Sequence, residues 1–324
     1  MLYRTYFRHI QRMPAAMASC ITLTLNPAVD RNSRVDRVEP EKKLRCEKPT
    51  YEPGGGGINV SRALRKLGAA SRAVYLAGGP PGDLLAQLLE KEEIDHARFE
   101  IGDWTRENLI VFETSSTRQF RFGMPGAEVT GEEWDRLLTR IRELDPFPEY
   151  VVASGSIPPG LDSDAYAEIA RITSERGGRL IADTSGPALQ ALTEAPVFLL
   201  KPNLAEFAQL SGTEIDHEAD LRAQMKEVLD ERDVAALLVS LGAGGAVLGT
   251  RKGIRKIPAP TVPIQSKVGA GDSMVAGLVR GLLRDWSIEE AARFGVAAGA
   301  AAVMTPGTEL CRGEDAEELY RQMR

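Results

Sequence analysis

Short apolar runs alternate with segments of helical periodicity along most of the chain. The apolar runs predict buried strands at residues 19–25, 73–77, 150–153, 179–182, 197–200 and 235–240. Apolar residues at helical spacing predict helices at 58–67, 82–91, 163–176, 204–210, 218–230, 273–284 and 288–304. This alternation is typical of an α/β domain in which helices cover both faces of a mostly parallel sheet. Because such sheets bind ligands at the carboxyl ends of their strands, the Gly, Asn and Asp residues that follow the strands are candidates for chemistry.

Two segments depart from this alternation. Residues 32–51 are polar and lack a helical period. Residues 108–124 predict two strands, in which Phe120 and Phe122 alternate with Arg121. We expect the two segments to form a small antiparallel flap over the edge of the sheet.

The absence of internal repeats and low-complexity linkers indicates one domain. It would span residues 18–324, with lid segments at about 32–52 and 104–124. Residues 1–17 contain basic residues and no acidic one. Transit peptides share that composition, but this segment is short. We expect it to be a disordered tail, or the product of a start codon assigned too early.

Composition excludes several classes of function. The net charge of -6 gives no electrostatic footprint for nucleic acid, and no apolar run approaches the roughly 18 residues of a membrane span. Cys20, Cys46 and Cys311 are far apart and lack CxxC spacing. This argues against a disulfide scaffold or a zinc site and predicts a cytoplasmic protein. Because the three histidines lie in no motif, we expect any general base to be a carboxylate.

The segment Gly269-Ala270-Gly271-Asp272 lies between a polar loop and an apolar helix. A helix N-terminus presents unpaired N–H groups and a partial positive charge, and it therefore attracts anions. These N–H groups can hold a transferred phosphoryl group while the Asp272 carboxylate takes a proton from the attacking hydroxyl. In the structural alternative, Asp272 only complements the helix dipole after a glycine turn.

A run of four glycines, Gly54 to Gly57, precedes Asn59 at the start of the first predicted helix. Without a Cβ atom, Gly55 and Gly56 allow backbone N–H groups to approach a ligand closely. The Asn59 side chain offers both a donor and an acceptor, which suits a sugar hydroxyl. The structural alternative is a flexible turn.

Two further loops follow predicted strands. Asn203 and Glu206 have the spacing of a helix cap, and their oxygen atoms also suit a hydrated Mg²⁺ ion. Both interpretations stay open. The loop that contains Ser240, Gly242 and Gly245 suits a nucleotide. No GxxxxGKS loop or GxGxxG fingerprint is present, which disfavours a P-loop NTPase and a dinucleotide dehydrogenase.

Four charged residues lie near the predicted lid. Asp30 ends the turn after the first strand and is either a ligand of a sugar hydroxyl or a turn residue. Lys43, Arg45 and Arg106 fall in or beside the flap. They form either a solvated surface or a site for an anionic substrate.

Together these motifs resemble the pfkB branch of the ribokinase-like sugar kinases, and within it the 6-phosphofructokinases of the minor bacterial type. The resemblance rests on the segments 53–60 and 268–276, in the right order and spacing, and extends over about residues 21–311. It implies an α/β fold, a three-layer α/β/α sandwich with a mostly parallel sheet and a small β lid, or clasp. It also implies ATP as co-substrate, Mg²⁺ as cofactor and a homodimer formed through the lid.

The resemblance assigns a role to each candidate residue. It implies that Asp272 is the general base and that Gly269, Ala270 and Gly271 form the anion hole. The implied sugar site comprises Asp30, Gly55, Gly56, Asn59 and Ser156. The implied nucleotide site comprises Lys201, Asn203, Ser240, Gly242 and Gly245, with Asn203 and Glu206 organising Mg²⁺. A K⁺ site would be surrounded by Ser266, Val268, Ala302, Thr305 and Gly307. Glu309 departs from the basic residue expected beside that loop, so K⁺ dependence stays open.

The resemblance implies phosphorylation of fructose 6-phosphate at C1, with Lys43, Arg45 and Arg106 on the 6-phosphate. Gly56 stands where fructose-1-phosphate kinases typically carry Lys, which favours this substrate. In contrast, the sequence of the turn 26–30 is closer to the corresponding segment of 1-phosphofructokinases and tagatose kinases, so these two activities remain alternatives. A rival of another class is a non-catalytic sugar-phosphate or nucleotide sensor.

Overall fold

The computed structural model describes residues 19–323; the predicted tail at 1–17 lies outside them. The strands are β1 Cys20–Thr24, β2 Ala28–Val35, β3 Thr50–Gly54, β4 Arg72–Ala77, β5 His96–Glu100, β6 Arg106–Glu113, β7 Arg118–Phe122, β8 Tyr150–Ser154, β9 Arg179–Asp183, β10 Leu199–Leu200, β11 Ala236–Ser240, β12 Ala246–Thr250 and β13 Gly253–Ile257. The helices are α1 Gly56–Lys66, α2 Gly79–Lys91, α3 Gly131–Arg142, α4 Ala165–Glu175, α5 Gly186–Leu192, α6 Leu204–Ser211, α7 Glu218–Glu231, α8 Ala270–Leu282, α9 Ile288–Val303 and α10 Gly313–Gln322. Among these helices, none is both long and apolar enough to cross a bilayer.

The main sheet has nine strands in the order β13-β12-β11-β10-β9-β8-β1-β4-β5. The strands from β11 to β5 are parallel, whereas β12 pairs antiparallel with both of its neighbours. The prediction of a mostly parallel sheet is therefore confirmed, and a β-hairpin adds the antiparallel edge.

Helices cover both faces of this sheet because successive strand residues point in opposite directions. In β8, Val151 and Ala153 pack into a core with α3 to α7. Tyr150 and Val152 pack into a second core with α1, α8, α9 and α10. This arrangement is the predicted three-layer α/β/α sandwich. The strand predicted at 197–200 is too long, because only β10 is regular and Val197 makes an isolated bridge to Val234.

A second sheet of four strands, in the order β3-β2-β6-β7, forms the lid. The lid begins at Ala28 rather than near residue 32, because β2 continues directly from the turn after β1. The prediction of an antiparallel flap is only partly right. Each outer pair is antiparallel, but β2 and β6 run parallel, since they bring together two separate hairpins.

Candidate active site

Several strands of the main sheet end in polar residues at one edge. Asp183 is the last residue of β9, Ser240 is the last residue of β11, and Lys201 follows β10 directly. The N-terminus of α8 lies at the same edge. A Cβ atom built on Gly271 would lie 3.5 Å from Lys201 Nζ and 3.7 Å from Asp183 Oδ2. The parallel sheet and α8 therefore bring these groups together, as expected for a ligand site in this class of fold.

The first turn of α8 has the geometry of an anion hole. Gly269 caps the helix in the left-handed conformation, with φ 73°, and Ala270, Gly271 and Asp272 are its first three residues. The N–H of Ser273 makes the first intrahelical bond, to the Gly269 carbonyl. Because the preceding N–H groups have no carbonyl one turn back, they have no intrahelical partner and can bind an anion.

The carboxyl group of Asp272 accepts a hydrogen bond and has a raised pKa. The Asn59 side chain donates from Nδ2 to Asp272 Oδ2 at 3.0 Å. Burial, and next the charge of Asp183, raise the pKa of Asp272 to about 7. The hydrogen bond from Asn59 and the cations of Lys201 and Arg62 oppose this rise. A carboxylate whose pKa lies near neutrality is suited to accept a proton in this pH range.

Asp183 is a member of the site that the sequence analysis missed. Its Oδ1 lies 3.1 Å from Lys201 Nζ, and Lys201 is only 4% exposed. The pair places one negative and one positive charge beside the start of α8. The position of Asp183 could have identified it as a site candidate, since the last residue of a parallel strand lies at the edge of the sheet where ligands bind.

The glycine run packs α1 against the main sheet. A Cβ atom on Gly56 would overlap Ser154 Oγ and lie 2.9 Å from the Gly155 nitrogen. One on Gly55 would lie 2.6 Å from Thr24 Cγ2. Below about 3 Å the atoms overlap, so glycine is required here for close helix–sheet contact as well as for any approach to ligand.

Polar residues predicted for the sugar site lie where the lid joins the main sheet. Asp30 Oδ1 accepts a hydrogen bond from Asn108 Nδ2 at 2.8 Å, which joins β2 to β6. Ser156, in the loop after β8, accepts one from Asn26 Nδ2 at 3.0 Å. Side chains from three separate chain segments therefore reach this junction.

The three cations predicted to bind the sugar's phosphate group differ in their surroundings. Arg106 is half-buried and donates to the backbone carbonyls of Asn26 at 3.0 Å, Pro27 at 3.3 Å and Met124 at 3.3 Å. A guanidinium has five N–H donors, so two remain. Lys43 and Arg45 lie exposed in the loop between β2 and β3 and have no ion-pair partner within residues 19–323.

The candidate nucleotide residues form a second group. Asn203 and Glu206 make a reciprocal cap of α6, with hydrogen bonds of 2.9 Å and 2.8 Å, so the structural interpretation of their spacing is right. Ser240 bridges to Asn203. The loop then turns at Gly242 to Gly245. Gly242 has φ 58° and Gly245 has φ 89°, both in the left-handed region that favours glycine.

Hydrogen bonds join the two loops that carry the candidate K⁺ residues. Ser266 donates its hydroxyl to the Gly307 carbonyl at 2.8 Å and accepts from the Val268 N–H at 3.2 Å. Thr305 donates to the Ala302 carbonyl at 2.8 Å. Four of the five residues thus lie in two loops that flank the start of α8 and the end of α9, and Ala302 lies in the last turn of α9.

Comparisons with known proteins identify the family of this chain. The profile of the pfkB family carbohydrate kinases matches residues 16–315. ATP-dependent 6-phosphofructokinase isozyme 2 of Mycobacterium tuberculosis is 41% identical over 300 residues, which cover 93% of this chain and 88% of that protein. The isozyme 2 of Escherichia coli is 39% identical over 305 residues, covering 94% and 98%.

Solved structures give the same assignment. Phosphofructokinase-2 from Escherichia coli in complex with potassium superposes with a TM-score of 0.90 at 38% identity, covering 95% of this chain and 99% of that one. Its tetrameric inhibited form gives 0.88 with the same coverage. Ribokinase of Arabidopsis thaliana shares the fold, with a TM-score of 0.75 at 17% identity. By its profile match, its relatives and its fold, the chain belongs to the pfkB family of carbohydrate kinases.

Proposed function

We propose that the protein transfers the γ-phosphoryl group of ATP to the C1 hydroxyl of fructose 6-phosphate, giving fructose 1,6-bisphosphate. The observation that carries this proposal is the Asp272 carboxylate, placed in the first turn of α8 with its pKa raised to about 7. The names of the curated relatives support the choice of substrate.

Asp272 acts as the general base. It accepts the proton of the C1 hydroxyl as the oxygen attacks the γ-phosphorus, and ADP leaves. The backbone N–H groups at Gly269, Ala270 and Gly271 stabilise the negative charge on the transferred group, as preorganised donors do in an oxyanion hole. The ammonium group of Lys201 lies beside this helix start and contacts the nucleotide phosphates.

The sugar is held from the lid side. The hydroxyl groups of the sugar are bound by the side chains of Asp30, Asn59 and Ser156. The backbone at Gly55 and Gly56 approaches the sugar closely. Arg106 uses its two remaining N–H donors on the 6-phosphate, and the exposed Lys43 and Arg45 complete the cation set. Arginine binds a phosphate dianion bidentately, which fixes both its position and its orientation.

The donor set at α6 fits Mg²⁺. Asn203 and Glu206 offer only oxygen ligands, and each capping oxygen keeps a lone pair. Among residues 19–323, no group of three or more His, Cys, Asp or Glu side chains is arranged to hold a metal ion. In this proposal the ion would be held mainly by phosphate oxygens and water. It would neutralise charge on the phosphates. A K⁺ ion would lie near the carbonyl groups of the loop 266–268 and of the segment 302–307, which contains the end of α9.

The value of kcat/KM for fructose 6-phosphate is expected to depend on pH with an acid limb near neutrality. Asp272 accepts a proton only when ionised, and its pKa in the ligand-free protein is about 7. Because kcat/KM reports the ionisation of the free enzyme, it rises through about pH 7 and falls as the pH drops below it. Steady-state kcat/KM between about pH 5.5 and pH 9 measures this limb. A flat profile would exclude Asp272 as the titrating base.

Replacing Arg106 with Ala is expected to raise KM for fructose 6-phosphate by roughly 10–150-fold, about 1.5–3 kcal/mol, with little change in KM for ATP. Two charge-assisted N–H donors to the phosphate are lost. Arg121→Ala is the matched control, because this exposed arginine lies on the neighbouring lid strand β7. An unchanged KM in Arg106→Ala would remove this residue from the substrate site.

One experiment distinguishes a kinase from a sensor that has no catalytic activity. ADP release is measured with ATP and Mg²⁺, in the presence and absence of fructose 6-phosphate, and the product is identified by ³¹P NMR. The kinase releases ADP only with the sugar phosphate and yields a 1,6-bisphosphate. Binding of both ligands without ADP release would favour the sensor.

We also propose that the protein is a cytoplasmic homodimer that packs through its lid. The lid exposes large apolar side chains, among them Tyr51, Phe122 and Met124. Large apolar side chains exposed on one small sheet are candidates for contact with a second copy of the chain. The three cysteines are free, as expected for a reducing compartment.

A further inference from the structure

A buried arginine lies directly behind Asn59, the residue that contacts Asp272. Arg62 follows Asn59 by one turn of α1 and is only 5% exposed. Its Nη1 donates to Asn59 Oδ1 at 3.2 Å and to the Pro53 carbonyl at 3.3 Å. Pro53 lies in the lid strand β3. One guanidinium thus connects the lid, the candidate sugar site and the candidate base.

The charge of Arg62 is neutralised on its other side. Glu92, the C-terminal cap of α2, accepts two hydrogen bonds from it, at 2.7 Å from Nε and 2.8 Å from Nη2. This fork geometry fixes the plane of the guanidinium. Arg62 is therefore anchored on Glu92 and presents its remaining nitrogen, Nη1, to Asn59.

This anchoring determines which way the Asn59 amide points. A guanidinium only donates hydrogen bonds, so the amide atom that faces Arg62 must be the oxygen. The amide nitrogen then faces Asp272 and donates to the carboxylate. If the Asn59 amide were flipped, its NH2 group would face the N–H donors of Arg62, and its oxygen would face the carboxylate oxygen of Asp272. Neither side could then form a hydrogen bond.

We propose that Arg62, anchored by Glu92, is a positioning residue that holds the Asn59 amide in the orientation that donates to the catalytic base Asp272. The proposal rests on the phosphoryl-transfer function given above. It adds a relay of four side chains, from Glu92 through Arg62 and Asn59 to Asp272. Arg62 itself touches neither the phosphoryl group nor the attacking hydroxyl.

The charges that face Asp272 predict the direction of the effect. Asp183 at the end of β9 raises its pKa, and Lys201 after β10 lowers it. From α1, both the Asn59 hydrogen bond and the Arg62 cation lower it. Removing Arg62 removes a cation that lowers the pKa of Asp272, and it weakens the Asn59 hydrogen bond, which also lowers this pKa. Asp272 therefore stays protonated up to a higher pH.

The test compares Arg62→Met with the wild type over the full pH range. We expect kcat/KM for fructose 6-phosphate near pH 7 to fall by about 10–100-fold and its acid limb to move to higher pH, with KM for ATP within about twofold. Part of the lost rate should return at about pH 9, where Asp272 ionises again. A purely structural role for Arg62 would lower the active fraction without moving the limb.

Two control variants separate positioning from packing. Arg65→Met removes an exposed arginine of the same helix, whose partner is Glu93, and should leave the profile unchanged. Arg280→Met removes a buried arginine that donates to the Leu67 carbonyl at the end of α1, and it should lower Tm without moving the limb. If Arg62→Met does not fold, the double variant with Glu92→Gln removes both charges and should move the limb in the same direction by a smaller amount, because the Asn59 amide still loses its anchor.

A second readout does not depend on turnover. The ¹³C chemical shift of the Asp272 carboxyl carbon is titrated in the ligand-free wild type and in the Arg62 variant. A higher pKa in the variant supports the relay even if the wild type phosphorylates no sugar phosphate, an outcome that would refute only the proposed function. Identical Asp272 titrations in the two proteins would overturn the relay.

Discussion

Asp272→Asn is expected to lower kcat by about 10²–10⁴-fold and to leave ATP binding nearly unchanged. The amide keeps the size of the carboxyl group and stays within reach of Asn59, 3.0 Å away in the native protein. It cannot accept the hydroxyl proton. The loss should therefore appear in kcat, while KM for ATP and the dissociation constant of ATP stay close to their native values.

The matched control is Asp315→Asn, which also removes a carboxylate from the first turn of a helix, here α10. It should keep native kcat, because no candidate site residue lies in that helix. Steady-state kinetics and a fluorescence titration with ATP measure the two quantities for both variants. Near-normal turnover in Asp272→Asn would show that its carboxylate only complements the helix dipole.

Lys201→Met should lower kcat/KM for ATP by roughly 10²–10³-fold, equivalent to about 3–4 kcal/mol. Two effects act in the same direction. The nucleotide phosphates lose a cation, and Asp183, 3.1 Å from Lys201 Nζ, becomes an unpaired negative charge beside the start of α8. That charge repels the phosphoryl group and further raises the pKa of Asp272.

The control for charge alone is Lys256→Met, which breaks an exposed ion pair with Glu218. Exposed pairs contribute about 0–1 kcal/mol, so this variant should retain native kinetics. Both variants are compared by kcat and KM for ATP at a fixed, saturating sugar-phosphate concentration. If Lys201→Met stayed within about threefold of the wild type, the lysine would have no part in nucleotide binding.

The main layers were predictable because their signal is local. In strands buried on both faces, such as β8 and β11, nearly every residue is apolar, and their bounds differ from the predicted ones by a residue at most. The start of α8 was predictable for the same reason, since Gly269 and the apolar helix after it are adjacent in the chain. Contacts between neighbours in sequence decide both features.

The lid strands carry a much weaker signal. In β2, only Ala28, Val29 and Val35 are buried, so most of the strand is polar and shows no clear alternation. Its parallel pairing with β6 joins residues about 80 positions apart, from Ala28 to Arg106 at one end. No local pattern encodes such a pairing, and the register is fixed only when both hairpins dock on the main sheet.

The polar parts of the site that were missed depend on tertiary contacts. Asp183 is the last residue of β9, whereas the sequence predicts that this strand ends at residue 182. Arg62 lies among buried apolar residues of α1, but a long charged side chain can extend to solvent from such a position. Only the folded structure shows that Arg62 turns inward to Glu92 and Asn59.

The most direct test of the proposed function is a ranking of sugar phosphates by kcat/KM. ADP release is measured with ATP and Mg²⁺ for fructose 6-phosphate, tagatose 6-phosphate and fructose 1-phosphate under one set of conditions. We expect fructose 6-phosphate to have the highest kcat/KM, because the curated relatives are named 6-phosphofructokinases. The proposed phosphate site at Lys43, Arg45 and Arg106 should in addition disfavour fructose 1-phosphate, which has no 6-phosphate. If fructose 1-phosphate ranked first, the kinase chemistry would stand, but the roles given to these three cations and to Gly56 would be wrong.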